Sequence, residues 1–178
     1  MQEHINNIVS SWAEGEFWHE RSSITCFYLG FRGLGRWHWM ESCGDGEARK
    51  EFSKYCADYC KIIPDIDPAH IQRALTYKLT ERGQLESHLA QWVAREEKFI
   101  KDIKNTITKL STSQDFTLYR MLCCYLEEIE NERMFVGILL ENLRYNQFAA
   151  HHVTQVMKEL HRYFEHEYKG GTVDFSIT

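Results

Sequence analysis

The chain has 178 residues, 43% of them hydrophobic and 13% aromatic, so it can bury the core of a full domain and is not disordered. Its formal net charge is −5 and no run rich in Lys or Arg occurs, which argues against a nucleic-acid-binding protein. No apolar run reaches about 18 residues, so no membrane span is predicted. We expect one domain over residues 1–178.

The six cysteines predict reduced thiols rather than a disulfide framework. None of them forms a Cys-x-x-Cys pair, and the N-terminus lacks the basic and apolar regions of a signal peptide. We therefore expect a cytoplasmic protein.

The first part of the chain predicts two helices. Apolar residues share one face over residues 4–29, where Glu16 lies at the centre of that face. A second helical stretch lies within residues 36–61, but residues 43–46 include two glycines. Either a turn interrupts this stretch, or a continuous helix tolerates the glycines at a cost of about 2 kcal/mol.

The middle of the chain predicts a connector, a short helix and a long one. Asp67 can cap a short helix over residues 68–82 whose first residue is Pro68, since proline suits the first helical position. A long amphipathic helix then spans residues 85–110.

Two more helices are predicted after a break at residues 111–115. The first continues to about Asn146. The second spans residues 148–168, where Lys169-Gly170-Gly171 resembles a helix C-cap. The remaining tail, residues 172–178, is expected to be a short extended piece.

Two glutamates lie at positions where these helices should be apolar. Glu96 falls in the middle of the apolar stripe of helix 85–110, and Glu132 falls inside that of the next helix. A carboxylate in an apolar seam is costly unless a cation or hydrogen bonds compensate it. Two such residues on neighbouring helices therefore suggest a metal site inside a bundle.

This part of the chain resembles the third and fourth helices of bacterial-type ferritin subunits. The resemblance rests on Glu96, the run from Asp115 to Leu122, the Tyr125-Leu126 pair, Glu128 and Glu132. It implies an all-α fold: a ferritin-like antiparallel four-helix bundle with a long crossover and additional short and C-terminal helices. It further implies a homo-oligomer that handles iron at a di-iron site.

The resemblance also assigns roles to individual residues. Glu96 and Glu132 take the places of the third- and fourth-helix glutamates that bind the second iron. Glu128 takes the place of an outer acidic ligand at a third iron position, and Glu16 that of the first-helix glutamate of the first iron.

The second helix departs from the family pattern. Ferritins carry Glu-Glu-x-x-His there, but this chain places Gly44 to Ala48 at those positions. Asp45 can bridge two metals although its side chain is one methylene shorter, whereas Ala48 cannot ligate. His19, three residues after Glu16, can supply the missing imidazole, and Glu41 is a substitute bridge.

Each of these residues also has a structural alternative. Glu132 can pair with Arg133 or Arg120 across a helix interface, and Asp45 can be a turn residue between glycines. Glu128 belongs to an acidic run that is typical of a solvated helix face.

Three functions remain open from the sequence. The resemblance implies iron binding, oxidation of Fe²⁺ by O₂ or peroxide (a ferroxidase activity) and iron storage. The departures on the second helix favour a ferritin-fold protein without a working centre, acting in assembly or partner binding. The third hypothesis is a monomeric or dimeric di-iron oxygenase of related fold.

Overall fold

The computed structural model describes residues 1–76, 79–110 and 115–167, and every regular element within them is helical. The helices are α1 (Gln2–Tyr28), α2 (Arg32–Tyr55), α3 (Pro68–Thr76), α4 (Leu85–Leu110), α5 (Phe116–Tyr145) and α6 (Ala150–Glu167). A π-helical turn, Cys56–Cys60, continues α2, and a 3₁₀ turn, Arg82–Gln84, leads into α4.

The four long helices form two antiparallel hairpins. A tight turn at Gly30 joins α1 to α2, and its φ of 81° lies in the left-handed region that favours glycine. Ion pairs between Glu86 and Arg144 and between Lys104 and Glu130 show that α4 and α5 run in opposite directions. The two hairpins supply the four long helices of the bundle.

A long crossover connects α2 to α4 and carries α3. It is attached to α1 by a hydrogen bond from Arg21 Nη1 to the Leu75 carbonyl (2.8 Å) and by contact of His70 with Glu14. The last helix, α6, packs against α2, where Gly33 allows close approach to the α6 backbone. The predicted all-α four-helix bundle with a crossover and additional helices is thus confirmed.

Helix α2 begins at Arg32 rather than at residue 36, and it is continuous through residues 43–46, which decides between the two alternatives left open by the sequence. The glycine at position 46 has a packing role. A Cβ there would lie 2.9 Å from Glu16 Oε1, so the absent side chain lets α1 and α2 approach closely. Asp45 is therefore a helical residue, and its interpretation as a turn residue is wrong.

The predicted cap of the short helix is confirmed, but its predicted end is wrong. Asp67 Oδ1 accepts a hydrogen bond from the Ala69 amide at 2.9 Å. Helix α3 is described over Pro68–Thr76, residues 79–81 are not helical, and Leu79 lies in the core with 3% of its surface exposed. The prediction of a helix that continues to residue 82 is therefore wrong, and Leu79 is buried from the non-helical segment that precedes the 3₁₀ turn.

The bounds of α1, α4, α5 and α6 agree with the sequence-based prediction to within two residues. Asp115 caps α5, since its Oδ1 accepts from the Leu118 amide at 2.9 Å. Helix α6 begins two residues later than predicted because Gln147 and Phe148 both have a φ of 51°. The expected C-cap at 169–171 and the tail at 172–178 lie outside the described residues, as do residues 111–114 of the predicted break.

Two apolar clusters fill the bundle, and a polar layer separates them. One cluster contains Ile5, Ile8, Val9, Trp12, Phe52, Cys56, Phe99, Ile103, Leu110, Leu118, Leu122 and Ile129. The other contains Trp18, Cys26, Phe31, Leu34, Trp37, Leu85, Leu89, Trp92, Val136, Leu143 and the buried residues of α6, among others. Glu96 lies between Trp92 and Phe99 on α4, and Glu132 lies between Ile129 and Val136 on α5.

None of the described helices combines the length and the apolar character needed to cross a bilayer.

Candidate metal centre

The polar layer brings ligand-type side chains of four helices to one level of the bundle. They are His19 of α1, Glu41 and Asp45 of α2, Glu96 of α4 and Glu132 of α5. One ligand atom each of His19, Glu96 and Glu132 lies within 4.8 Å of the other two. Ligands about 2.2 Å from a metal are at most about 4.4 Å apart, so small side-chain movements let one ion bind all three.

Glu96 is buried, as the apolar stripe predicts, with 4% of its surface exposed. The Glu132 side chain is 15% exposed, and its Oε1 accepts a hydrogen bond from Trp92 Nε1 at 2.7 Å. Arg133 pairs with Glu97 on the outer side of the same helices, so the alternative pairing of Glu132 with Arg133 is not seen. An inward carboxylate on each of α4 and α5 therefore faces the centre.

Helix α2 adds two more carboxylates to the layer. Glu41 Oε1 accepts from Trp37 Nε1 at 2.7 Å, and its carboxyl lies close to that of Glu132. Asp45 lies directly against Gly15 of α1, where a Cβ would collide with Asp45 Oδ2. The missing side chain at Gly15 thus makes room for this acid between the two helices.

All four carboxyls have raised pKa values. Burial is the largest cause throughout, and it raises the pKa of Glu41 and of Glu96 to about 7. The pKa values of Asp45 and Glu132 are raised well above their usual range, with repulsion from Glu96 as the next cause in both. Four acids that repel one another in a desolvated layer would all be stabilised by a bound cation.

Arg95 is a positive group beside this layer. Its guanidinium opposes the rise in pKa of both Asp45 and Glu96, and its Cζ lies 4.6 Å from the centre of the Trp18 ring. The buried Nη1 atom has no hydrogen-bond partner among the described residues. Arg95 therefore supplies part of the charge that a metal ion would otherwise supply.

His19 is oriented by a second buried histidine. Its Nδ1 lies 2.8 Å from Nδ1 of His38, which turns its Nε2 toward Glu132 Oε1 at 3.9 Å. Burial, then Arg95 and His88, lower the pKa of His19 well below its usual range. The ring is thus neutral at physiological pH, which is the form that binds metals.

Glu16 lies apart from the other predicted ligands. Its Oε2 accepts from Nη2 of Arg49 at 2.8 Å and from Nε at 3.0 Å, and the carboxylate packs against Gly46. The Glu16 side chain is 26% exposed, at the edge of the α1–α2 interface. The predicted Glu16/His19 pair is therefore divided: His19 faces the centre, and Glu16 faces Arg49.

Glu128 lies at the mouth of a groove that leads to the centre. The groove, with a volume of about 580 Å³, is lined by Glu41, Asp45, Glu128 and Glu132 and by aromatic residues of α2, α5 and α6. Glu128 is exposed, and its charge contributes to the raised pKa of Glu41. The groove therefore connects exposed Glu128 with three carboxyls of the layer.

Two solved structures of an open-pore ferritin from the archaeon Archaeoglobus fulgidus match the chain closely in fold. Their TM-scores are 0.75 and 0.76, and the matches cover 90% of this chain and 94% and 95% of theirs. The chain has a ferritin-like fold. Sequence identity to these structures is only 15% and 14%, so the similarity concerns the fold alone. No protein-family model matches the sequence, and no curated protein matches it.

Within this ferritin-like fold, three polar residues that adjoin the layer were not identified from the sequence: Arg95, His38 and His88. The signal that singled out Glu96 was a polar residue within an apolar stripe. His38 and His88 are both fully buried and carry the same signal. Arg95, in contrast, directly precedes Glu96, and only the packing of α4 against Trp18 shows that it reaches the acids.

Proposed function

We propose that the carboxylate–histidine centre binds iron, oxidises Fe²⁺ to Fe³⁺ and delivers it to storage in a homo-oligomeric shell in the cytoplasm. The convergence of His19, Glu96 and Glu132 from three helices, within 4.8 Å, carries this proposal. Glu41 and Asp45 complete a donor set in which oxygen dominates. Such hard oxygen ligands favour Fe³⁺ over Fe²⁺ and therefore favour oxidation.

The proposed chemistry treats iron as the substrate. Two Fe²⁺ ions give two electrons to O₂, which with two protons forms hydrogen peroxide, and the resulting Fe³⁺ ions leave for storage. In this scheme Glu96 of α4 and Glu132 of α5 bind iron, and His19 supplies an imidazole ligand. Asp45 or Glu41 would bridge the two iron ions. Glu128 serves as an outer ligand in the groove that leads inward.

Glu16 joins the ligand set only if it separates from Arg49. The ion pair is half-buried, so this exchange is within reach of a divalent cation that approaches Gly46. Support for iron as the metal comes from the fold: the similar Archaeoglobus fulgidus protein is a ferritin.

Aerobic addition of Fe²⁺ to the purified, metal-free protein tests the proposal. We expect absorbance of ferric–oxo species to rise faster than in buffer, elemental analysis to detect retained iron, and native mass to correspond to a multi-subunit shell. A rate equal to that of buffer, with no retained iron, would contradict iron oxidation. A monomer or dimer that oxidises iron would instead favour the di-iron oxygenase hypothesis.

A second function is favoured by Arg95. A permanent guanidinium beside Asp45 and Glu96 can neutralise the layer without any metal. The chain would then be a ferritin-fold protein that acts in assembly or partner binding. Co-assembly with an iron-storing ferritin subunit, without iron uptake, would support this alternative.

Arg95→Gln separates the two functions. If the centre binds iron, loss of the competing cation is expected to raise apparent Fe²⁺ affinity several-fold, while the metal-free protein is destabilised by about 1 to 3 kcal/mol. Isothermal titration and urea unfolding measure the two effects. Arg133→Gln, which removes an outward-facing arginine paired with Glu97, is the matched control. Destabilisation by Arg95→Gln without iron binding in either protein would favour the assembly function.

A further inference from the structure

A second group of metal-ligating side chains lies in the apolar cluster beside the carboxylate layer. It consists of Cys26 of α1, His38 of α2 and His88 of α4, each with 0% of its surface exposed. The Cys26 sulfur and one ring nitrogen of each histidine all lie within 4.8 Å of one another. A thiol and two imidazoles from three different helices therefore meet at one buried point.

The spacing of these atoms is close to that of a metal site. Zinc binds thiolate sulfur at about 2.3 Å and imidazole nitrogen at about 2.0–2.1 Å, so its tetrahedral ligands are about 3.3 to 3.7 Å apart. Nε2 of His38 and Nε2 of His88 are 2.7 Å apart and share a hydrogen bond. A bound cation would replace this hydrogen bond and separate the two nitrogens by roughly half an ångström more.

Both histidine rings are held in place by their neighbours. His38 stacks on Trp92, with ring centres 4.1 Å apart, and its Nδ1 contacts His19 Nδ1 at 2.8 Å. His88 stacks on Trp18 at 5.0 Å. Fixed rings lose little freedom on binding a metal, and a hydrogen bond at the second ring nitrogen, as His38 makes with His19, orients a metal-ligating histidine.

The side chains of this cluster are uncharged before a metal binds, since burial shifts the pKa values of all three toward the neutral form. Burial lowers the pKa of both His38 and His88, the adjacent His88 and His19 rings lower that of His38 further, and Arg95 acts on both, so the rings are neutral. Burial raises the pKa of the Cys26 thiol to about 12. When a cation binds, the sulfur–metal bond forms as the thiol proton leaves to solvent.

We propose that Cys26, His38 and His88 form a zinc site distinct from the carboxylate centre. One thiolate and two imidazoles suit a borderline-soft ion such as Zn²⁺ better than they suit iron, which prefers the oxygen-rich layer. A zinc ion here would link α1, α2 and α4 and stabilise the fold. Zinc binding at this cluster is independent of the iron function proposed above.

Cobalt(II), a spectroscopic substitute for zinc, is the probe that tests the site. The background protein carries serine at the four exposed or half-buried cysteines, Cys43, Cys60, Cys123 and Cys124, which leaves only Cys26 and Cys56. We expect a thiolate-to-cobalt charge-transfer band that saturates at one sulfur-bound cobalt per chain, and cobalt bound at the carboxylate centre would add no such band. Cys26→Ser should abolish this band, and Cys56→Ser, at an equally buried cysteine of the other apolar cluster, should preserve it.

Histidine variants and zinc X-ray absorption complete the test. His88→Gln should weaken cobalt binding at least about tenfold. X-ray absorption of Cys56→Ser background protein loaded with zinc should show sulfur bound to zinc, a result that does not require the Cys26 variant to fold. The carboxylate centre contains no sulfur, so failure of the iron function would leave these readouts unchanged.

Three results would overturn the proposal. They are a charge-transfer band that survives Cys26→Ser, a band lost only in Cys56→Ser, and a zinc spectrum without sulfur at saturating metal. Any of them would show that the cluster is a hydrogen-bonded pair of histidines beside a buried thiol.

Discussion

Replacement of Glu96 and Glu132 together by glutamine is expected to reduce aerobic Fe²⁺ oxidation to the rate of buffer. These residues supply the inward carboxylates of α4 and α5, and both have ligand atoms close to His19. Loss of a residue that only orients a ligand costs about 10- to 100-fold in metal affinity, so loss of two ligands should cost at least that much. Initial oxidation rates and retained iron per chain measure the effect.

The matched control for this variant is Glu97→Gln with Glu130→Gln. These glutamates lie on the same two helices but face outward, where they pair with Arg133 and Lys104. Glutamine preserves size and helix propensity at all four positions, so only the location of the lost charge differs. Equal oxidation by the inward and outward double variants would exclude the centre as the site of the chemistry.

The second large effect concerns the stability of the metal-free protein as a function of pH. The pKa of Glu96 is raised from its ordinary 4.5 to about 7 in the folded state. Because the pKa of Glu96 is higher in the folded state than in the unfolded state, its contribution to stability is fully present below pH 4.5. This contribution is lost as the pH rises to about 7. A tenfold difference in proton affinity corresponds to about 1.4 kcal/mol, so the free energy of unfolding lost through Glu96 is on the order of 3 kcal/mol.

Glu96→Gln should therefore become more stable relative to the unmodified protein as the pH rises from about 5 to about 8. Glutamine is neutral at both pH values and resembles the protonated acid. Buried His19, His38 and His88 have lowered pKa values and act oppositely: their stabilisation is present above pH 6.5 and lost as the pH falls. That contribution is common to both proteins and cancels in the comparison.

Urea unfolding in the presence of a chelator measures this difference at each pH. Glu97→Gln is the control, because Glu97 is exposed and its replacement should shift stability by a similar amount at both pH values. A stability difference for Glu96→Gln that stays constant, or that falls with rising pH, would contradict a buried carboxyl with a raised pKa.

The bounds and the buried faces of the individual helices were the most predictable features of this protein. The 3.6-residue period predicted α4 at Leu85–Leu110 and α5 at Phe116–Tyr145 with little error, and Asp67 predicted the start of α3. These signals are local, since a helix face or an N-cap is determined by residues within about four positions of each other. The burial of Glu96 followed from the same period.

The continuity of α2 through its glycines could not be predicted in this way. Propensity alone weighs against a helix at residues 43–46, but it omits the packing that favours one. At Gly15 and Gly46 the missing side chains make room for Asp45 and Glu16 across the α1–α2 interface. The free energy gained from this close packing belongs to a pair of helices and is absent from either sequence segment alone.

The amino-acid sequence by itself determined the class of the fold, the faces of the long helices and the inward placement of Glu96, because these depend on the order of polar and apolar residues along one helix. Only the tertiary structure decided which polar residues meet. In the folded protein Glu16 pairs with Arg49, Arg95 lies beside the acids, and Cys26, His38 and His88 meet at one point. Such contacts join residues far apart in the chain, so the relative position and rotation of packed helices determine them and no local periodicity encodes them.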